Sequence, residues 1–227
     1  SFTLKMYLEK SSIDLLSCFL TSYLEDIISE TNIWNSFVKA HHRLYGKQLP
    51  FYDLEEYYEE EVNPQDISFL IWYFLNTAQE EKFISPFNGF IYEIAEKVMD
   101  VFEDAWEHAP ENEYLKSFYQ IDENEEEFYV ARNLIDTVLF KTYLFYPDTF
   151  FKLQDKEFEI LQNNAGHENL LMFLNENRDS QIYTAHTRLL SLTGQAWVAE
   201  KLNSNHRLSK EFIEISQKIQ GLFFYKG

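Results

Sequence analysis

Apolar residues recur at spacings of three and four through most of the first 140 positions, a pattern typical of amphipathic α-helices. The first predicted helix has Ser12 as its N-cap and Asp14 in its first turn. A second is predicted to start at the N-cap Thr31 and to end at Gly46, a residue favoured just after a helix. The apolar positions of the two helices are Leu16, Phe19, Leu20, Tyr23, Leu24, Ile27 and Ile28, then Trp34, Phe37, Val38, His41 and Leu44.

A third helix is predicted from Asn63-Pro64, an N-cap followed by a proline at the first helical position, with Asp66 complementing the helix dipole. Its residues are apolar nearly all round, which predicts the central, most buried element. We therefore expect truncation of Trp72 to cost about 3–5 kcal/mol. The apolar residues are Ile67, Phe69, Leu70, Ile71, Trp72, Phe74 and Leu75.

Two further start signals follow. Ser85-Pro86 predicts a helix that runs to about His108, and Pro110 then predicts a short helix through Tyr119. Asp122 and Glu125 predict the start of a long helix that Pro147 stops.

The two ends of the chain are less regular. Positions 2, 4, 6 and 8 alternate as in a strand but also fit a short helix, which we favour. Residues 170–174 fit either a strand or a helix, Thr193 predicts a helix through residue 202, and residues 208–219 predict a last helix closed by Gly221.

The aromatic-rich run 222–225 predicts the first strand of a module that continues past Gly227, so that this chain is a fragment. The alternative is that the run folds back onto the helical core.

These elements predict an all-α fold, an irregular bundle of seven to nine helices with a short strand at the C-terminal end. Glycine and proline number only 6 and 5, which disfavours a turn-rich β sandwich. We expect an acidic helical domain over residues 1–147 and a neutral, mainly helical region over residues 148–227 packed on it, or one continuous domain.

Charge divides the chain unevenly. The net charge is −19, and the excess lies within residues 1–140, which contain 28 acidic and 9 basic side chains. Such a field repels phosphate backbones, so we expect no binding to nucleic acid and, if any partner, a protein with a basic surface whose association depends on salt.

The compartment is predicted from what the chain lacks. Cys18 is the single cysteine, and no secretory leader is visible, which indicates a reducing cytoplasm. The longest uncharged stretch runs from Ile67 to Gln79, shorter than the roughly 20 residues that a membrane span needs. We therefore expect a cytoplasmic protein without membrane association.

Two acidic patterns invite a metal interpretation. In the helix predicted to run to about His108, five acidic residues recur at spacings of three and four. This stripe lies on one helix face, opposite the apolar face of the same helix, so we interpret it as a solvated face. The run from Asp122 begins like a calcium-binding loop but has Glu127 where glycine is required and Asn133 where a bidentate glutamate belongs. No metal ligand is assigned. The stripe consists of Glu93, Glu96, Asp100, Glu103 and Glu107.

Motifs for catalysis and nucleotide binding are equally absent. Ser36 and Lys39 match Ser-x-x-Lys without the companion motifs, and Cys18 among apolar neighbours predicts a core thiol. Of His41 and His42, which lie on different helix faces, one is expected to contact the apolar side. We assign no catalytic residue, no cofactor-binding residue and no cofactor.

Aromatic residues are unusually frequent, with 21 Phe, 15 Tyr and 4 Trp. Most are predicted to pack in the core, and some to form a groove for a peptide or a partner helix. The chain resembles an uncharacterised family of bacterial cytosolic proteins in the segments 49–52, 63–72 and 109–113, and that resemblance implies no established activity.

Two functional hypotheses from different classes follow. The first is a non-enzymatic helical module that binds a protein through acidic and aromatic surface. The second is an enzyme whose pocket is assembled from distant residues. A third, an acidic mimic of nucleic acid that occupies a basic protein, is ranked below them.

Overall fold

The part of the chain that the structure describes contains nine α-helices. The structure, a computed structural model, describes residues 10–31, 33–46, 49–57, 61–78, 83–118, 126–141, 151–184 and 193–201, with the single positions 186, 214 and 224. In chain order the helices are α1 Lys10–Ile28, α2 Ile33–Tyr45, α3 Pro64–Ala78, α4 Gly89–Trp106, α5 Glu113–Phe118, α6 Glu127–Lys141, α7 Phe151–Asn163, α8 Leu170–Thr184 and α9 Gly194–Lys201.

The predicted all-α fold is confirmed. A 3₁₀-helix, Leu54–Glu56, lies between α2 and α3, and the described residues hold no strand beyond one isolated antiparallel bridge between His186 and Thr193. No described helix combines the length and the apolar character that a bilayer crossing requires.

Helix α3 contributes a large part of the core, although α1 buries as many apolar side chains. It packs against α1 and α4, and six of its apolar side chains are buried because neighbours cover them on more than one side. Trp72 and Tyr73 are only half-buried, so the expectation of burial all round is wrong at this edge. The buried side chains of α3 are Ile67, Phe69, Leu70, Ile71, Phe74 and Leu75.

The start of α2 differs from the prediction. Thr31 is not the N-cap, because its hydroxyl donates to the carboxylate of Asp26 at the end of α1. That carboxylate accepts the backbone N–H groups of Ile33 and Trp34 at 2.9 and 2.7 Å. A residue of the preceding helix therefore satisfies the free N–H groups that every helix start presents. Glu30, at φ 52°, makes the tight turn between the two helices.

Two other predicted N-caps are wrong. Ser12 lies inside α1, and Ser85-Pro86 forms a turn, in which Asn88 N–H donates to Ser85 O at 3.1 Å, ahead of a helix that starts at Gly89. Proline suits the second position of a β-turn as well as the first position of a helix, so the dipeptide alone did not distinguish them.

Three terminus predictions are confirmed. Pro64 is the first residue of α3. Gly46 follows α2 in the left-handed region, at φ 59°, and its N–H donates to His42 O at 2.8 Å. Thr193 caps α9, since its hydroxyl accepts the N–H of Ala196 at 3.3 Å.

The C-terminal helices pack on the others through α9, which contacts α2, α6 and α8. Arg178 of α8 pairs with Asp136 of α6, Nε to Oδ1 at 2.8 Å, and Arg132 pairs with Asp179 at 2.8 Å. Helix α7 was not predicted, and α8 shows that residues 170–174 are helical.

Several predictions lie outside the described residues. These are the conformation of residues 1–9, the helix start at Asp122, the last helix over 208–219 apart from position 214, and the strand over 222–225 apart from position 224.

Candidate functional site: an acidic and aromatic surface

The acidic stripe lies on the outer face of α4. The helix buries Ile91, Ile94, Ala95 and Phe102, while all five carboxylates of the stripe are exposed, and Asp104 with them. The solvated-face interpretation is therefore confirmed for this helix. Among the described residues, no group of three or more acidic, histidine or cysteine side chains is arranged to hold a metal ion.

Four aromatic rings form a chain beside this face. Phe83 contacts Trp72 at 6.4 Å between ring centroids, Trp72 contacts Phe51 at 6.1 Å, and Phe51 contacts Tyr92 at 5.6 Å. The two outer rings reach solvent, since Phe83 is 78% and Tyr92 46% exposed, whereas Phe51 and Trp72 are half-buried. We call these four residues the aromatic string.

Hydrogen bonds hold one end of the aromatic string. Trp72 Nε1 donates to Ile84 O at 2.8 Å, and the Asn76 amide accepts the Ile84 N–H at 2.8 Å while donating to its carbonyl at 3.2 Å. Because both backbone groups of Ile84 are bound to α3, the adjacent Phe83 is placed over Trp72 although its own ring is exposed.

Tyr92 joins the aromatic string to the acids. It belongs to α4 and lies one turn before Glu96, so the two side chains are neighbours on the helix surface. Carboxylates attract cations over several ångströms, and the face of an aromatic ring attracts a cation at contact while also offering apolar area. We call the aromatic string together with the acidic stripe the acidic-aromatic surface.

Beneath this surface lies a fully buried carboxylate. Asp66, in the first turn of α3, has no exposed area. Its Oδ1 accepts from Tyr52 Oη at 2.5 Å and Trp34 Nε1 at 2.7 Å, and its Oδ2 accepts from Tyr23 Oη at 2.6 Å and Tyr57 Oη at 3.2 Å. Four donors from α1, α2 and the 49–57 segment thus converge on one group. We call these five residues the Asp66 cluster.

The cluster also completes the start of α3. The N–H of Asn63, which precedes the first helical residue, donates to Tyr23 Oη at 3.0 Å, and that hydroxyl donates onward to Asp66. In an ordinary capping box the acidic side chain reaches this N–H itself. Here a tyrosine hydroxyl from α1 stands between them, which ties the two helices together.

Burial governs the electrostatics of the cluster. It raises the pKa of the Asp66 carboxyl from 3.8 to about 6, although the hydrogen bonds from Tyr23, Tyr52, Trp34 and Tyr57 favour the charged form and lower it. Burial, and then the negative charge of Asp66, raise the pKa of Tyr23 and of Tyr52 well above 10.0. The tyrosines are therefore hydrogen-bond donors at neutral pH.

A strained residue connects the cluster to the surface. Phe51, at φ 78°, lies in the left-handed region that a bulky side chain rarely adopts. It directly precedes Tyr52, which is buried and bound to Asp66. A second link runs through Phe69, whose ring contacts Tyr52 at 5.9 Å and Trp72 at 5.7 Å.

The other candidates from the sequence do not join this site. Cys18 is exposed, so the prediction of a core thiol is wrong. His42 is exposed and His41 is half-buried with its pKa lowered by burial and then by the adjacent His42, which agrees with the expected boundary histidine. Ser36 is buried while Lys39 is exposed, so the two do not share an environment suited to paired catalysis.

Sequence reasoning missed the role of Asp66, which was interpreted only as a first-turn acid. One signal was present: an acidic residue in the first turn of a helix that is apolar nearly all round has little solvent-facing surface available. Its partners Tyr23, Trp34 and Tyr52 are distant in sequence, and no local pattern joins them.

Comparison with known proteins places the chain in a family without assigning it an activity. No curated protein and no solved structure matches it. The sequence model of one family, described as proteins of unknown function, matches residues 7–223, which is nearly the whole chain. The chain therefore belongs to the DUF3843 family of proteins of unknown function.

Proposed function

We propose that this chain is a non-enzymatic interaction module that binds a basic protein through the acidic-aromatic surface. The observation that carries the proposal is the exposed ring of Tyr92 beside an exposed row of carboxylates on α4, at one end of a chain of ring contacts whose other end is the exposed Phe83. Interfaces concentrate their energy in aromatic anchors, and charges around an anchor accelerate association.

The charge distribution supports this assignment. Helix α4 and the residue after it carry six exposed carboxylates and one lysine, Lys97. The carboxylates lie in a chain with a net charge of −19, so a basic partner is attracted from a distance and directed to this face. The single cysteine supports placing the module in a reducing cytoplasm.

The buried carboxylate does not favour an enzyme over this function. Asp66 has no exposed area, and four donors occupy both of its oxygens, so a substrate cannot reach it without opening the core. The exposed rings also favour a protein partner over mimicry of nucleic acid, because a phosphate backbone presents no comparable apolar anchor.

The test uses a synthetic amphipathic helix with one arginine face and one leucine face. Its affinity is measured by isothermal titration calorimetry for the wild type and two triple variants that each remove three exposed charges. The variant of the site carries Glu93→Gln, Glu96→Gln and Asp100→Asn, and the matched control on α7, α8 and their connection carries Asp155→Asn, Glu168→Gln and Glu176→Gln.

We expect the site variant to bind about tenfold more weakly at low salt and the control to change by less than about twofold. Phe83→Ala should weaken binding about fivefold and leave the salt dependence unchanged, because it removes an anchor and no charge. Equal losses in both triple variants would show that attraction is spread over the whole molecule and would refute the assignment of the site. In a separate stopped-flow measurement, an on-rate of the wild type that does not change between low and high salt would mean that the charge serves solubility alone.

A further inference from the structure

We propose that Asp66 is a positioning residue for the acidic-aromatic surface, acting through Tyr52 to hold Phe51 between Trp72 and Tyr92. This inference rests on the proposed function, because it assigns control of the same surface. Asp66 does not touch the surface itself; it acts through the backbone that Tyr52 shares with Phe51.

The first step is the attachment of the 49–57 segment. Tyr52 is buried and donates to Asp66 Oδ1 at 2.5 Å, and Tyr57 donates to Oδ2 at 3.2 Å. These two bonds to one carboxylate bracket the turn that contains the 3₁₀-helix Leu54–Glu56. Gln65 adds a third bond to the segment, since its Oε1 accepts the Asp53 N–H at 2.9 Å.

The second step is strain. A phenylalanine at φ 78° is energetically unfavourable, and such a conformation persists only where surrounding contacts impose it. Three restraints act on Phe51: the β-turn that the Tyr52 N–H closes by donating to Leu49 O at 3.2 Å, the bond from the Tyr52 hydroxyl to Asp66, and the two rings that Phe51 touches. Loss of the hydroxyl bond removes the restraint that anchors this turn to α3, and we expect the turn to shift and the Phe51 ring to move away from Tyr92.

The third step is protonation. An ionised carboxylate accepts all four donors, but a protonated one donates its own hydrogen, so one of the four donors must turn away or, if it is a hydroxyl, accept that hydrogen instead. The titratable groups around Asp66 are Tyr23 from α1 and Tyr52 and Tyr57 from the 49–57 segment, while α2 contributes Trp34. Two of the three hydroxyls belong to the segment that carries Phe51, so protonation bears directly on the surface. Burial places the pKa of Asp66 at about 6, within reach of mild acidification.

Two tyrosines provide a matched pair for the test. Tyr52→Phe and Tyr23→Phe each delete one buried hydroxyl that donates to Asp66, at 2.5 and 2.6 Å, but only Tyr52 adjoins Phe51. The readouts are the ring-proton NMR shifts of Phe51 and Tyr92 in the free protein and the affinity for the arginine-leucine helix. Because the shifts need no partner, the positioning role is tested even if the helix does not bind and the proposed function fails.

We expect Tyr52→Phe to change both sets of shifts and to weaken peptide binding about fivefold, as expected when a binding side chain is no longer held in place. Tyr23→Phe should leave the Phe51 and Tyr92 shifts in place and the affinity within about twofold. In the wild type the shifts should titrate with a midpoint near pH 6, and Asp66→Asn should abolish that titration. Unchanged shifts in Tyr52→Phe, equal changes in both tyrosine variants, or a titration that persists in Asp66→Asn would each overturn the proposal.

Discussion

The buried charge of Asp66 makes a definite prediction about stability and pH. Its pKa is raised from 3.8 to about 6 in the folded protein, so the folded state binds a proton more readily than the unfolded state over this range. The stabilising contribution of this group is therefore fully present below pH 3.8 and is lost as the pH rises through 6. The wild type should become more stable, relative to a variant without this titration, as the pH falls.

The size of the effect follows from the two pKa values. The rise of the pKa from 3.8 to about 6 corresponds to about 3 kcal/mol between the limits, since a pKa change of one is about 1.4 kcal/mol. Between pH 8 and pH 5, where the titration is only partly complete, the same linkage yields about 1 kcal/mol. This interval stays above the isoelectric point of 4.6, near which loss of net charge promotes association.

The measurement is urea unfolding of the wild type and Asp66→Asn at pH 8 and pH 5, followed by circular dichroism. The free energy of unfolding of the wild type minus that of the variant should rise by about 1 kcal/mol on going to pH 5. Asp100→Asn, which removes an exposed carboxylate of α4, is the control and should show less than about 0.5 kcal/mol of such change. A difference that falls on acidification would mean that the four hydrogen bonds outweigh burial, and it would refute the raised pKa.

Three further substitutions test the packing. Trp72→Ala should cost about 3 kcal/mol of unfolding free energy, because it removes a half-buried ring and its hydrogen bond to Ile84 O. A loss of less than 1 kcal/mol in a urea titration would place this edge of α3 outside the core. Gly46→Ala should cost about 1 kcal/mol of unfolding free energy, because an alanine at φ 59° is strained. Gly89→Ala is the control: its surroundings are equally open and its φ is not positive, so it should be neutral or slightly stabilising. Equal midpoints of the two variants in thermal unfolding would contradict the left-handed cap at Gly46. Asp26→Ala should cost at least about 2 kcal/mol, since it removes the carboxylate that accepts the N–H groups of Ile33 and Trp34 and the hydroxyl of Thr31. Amide exchange at the start of α2 should accelerate, and an unchanged exchange rate would show that another group caps the helix.

The periodicity of the chain, by itself, determined that the protein is helical and located most of the first six helices. Apolar residues at spacings of three and four define a buried face wherever they occur, and this local property does not depend on the rest of the fold. Pro64, Gly46 and Thr193 were assigned correctly because each meets a backbone requirement of the helix terminus beside it. Helix α7 escaped detection because its apolar positions are interrupted by charges, and Leu153 is the buried hydrophobic residue among its described side chains.

Tertiary structure alone decided which polar groups are buried and what satisfies them. The start of α2 is capped from α1 by Asp26, and Asp66 collects donors that lie between 9 and 43 residues away in the sequence. Neither arrangement can be derived from local pattern, because a carboxylate three residues into a helix is suited equally to solvent and to a buried cluster. Packing of α1, α2 and the 49–57 segment around the start of α3 excluded water, and the buried charge then required the hydroxyl and indole donors that those elements supply. Packing also brings Phe51, at its unfavourable angle in the turn closed by Tyr52 N–H and Leu49 O, between Trp72 and Tyr92, so that the row of rings ends beside the acids of α4; the proposed binding surface therefore exists only in the folded chain.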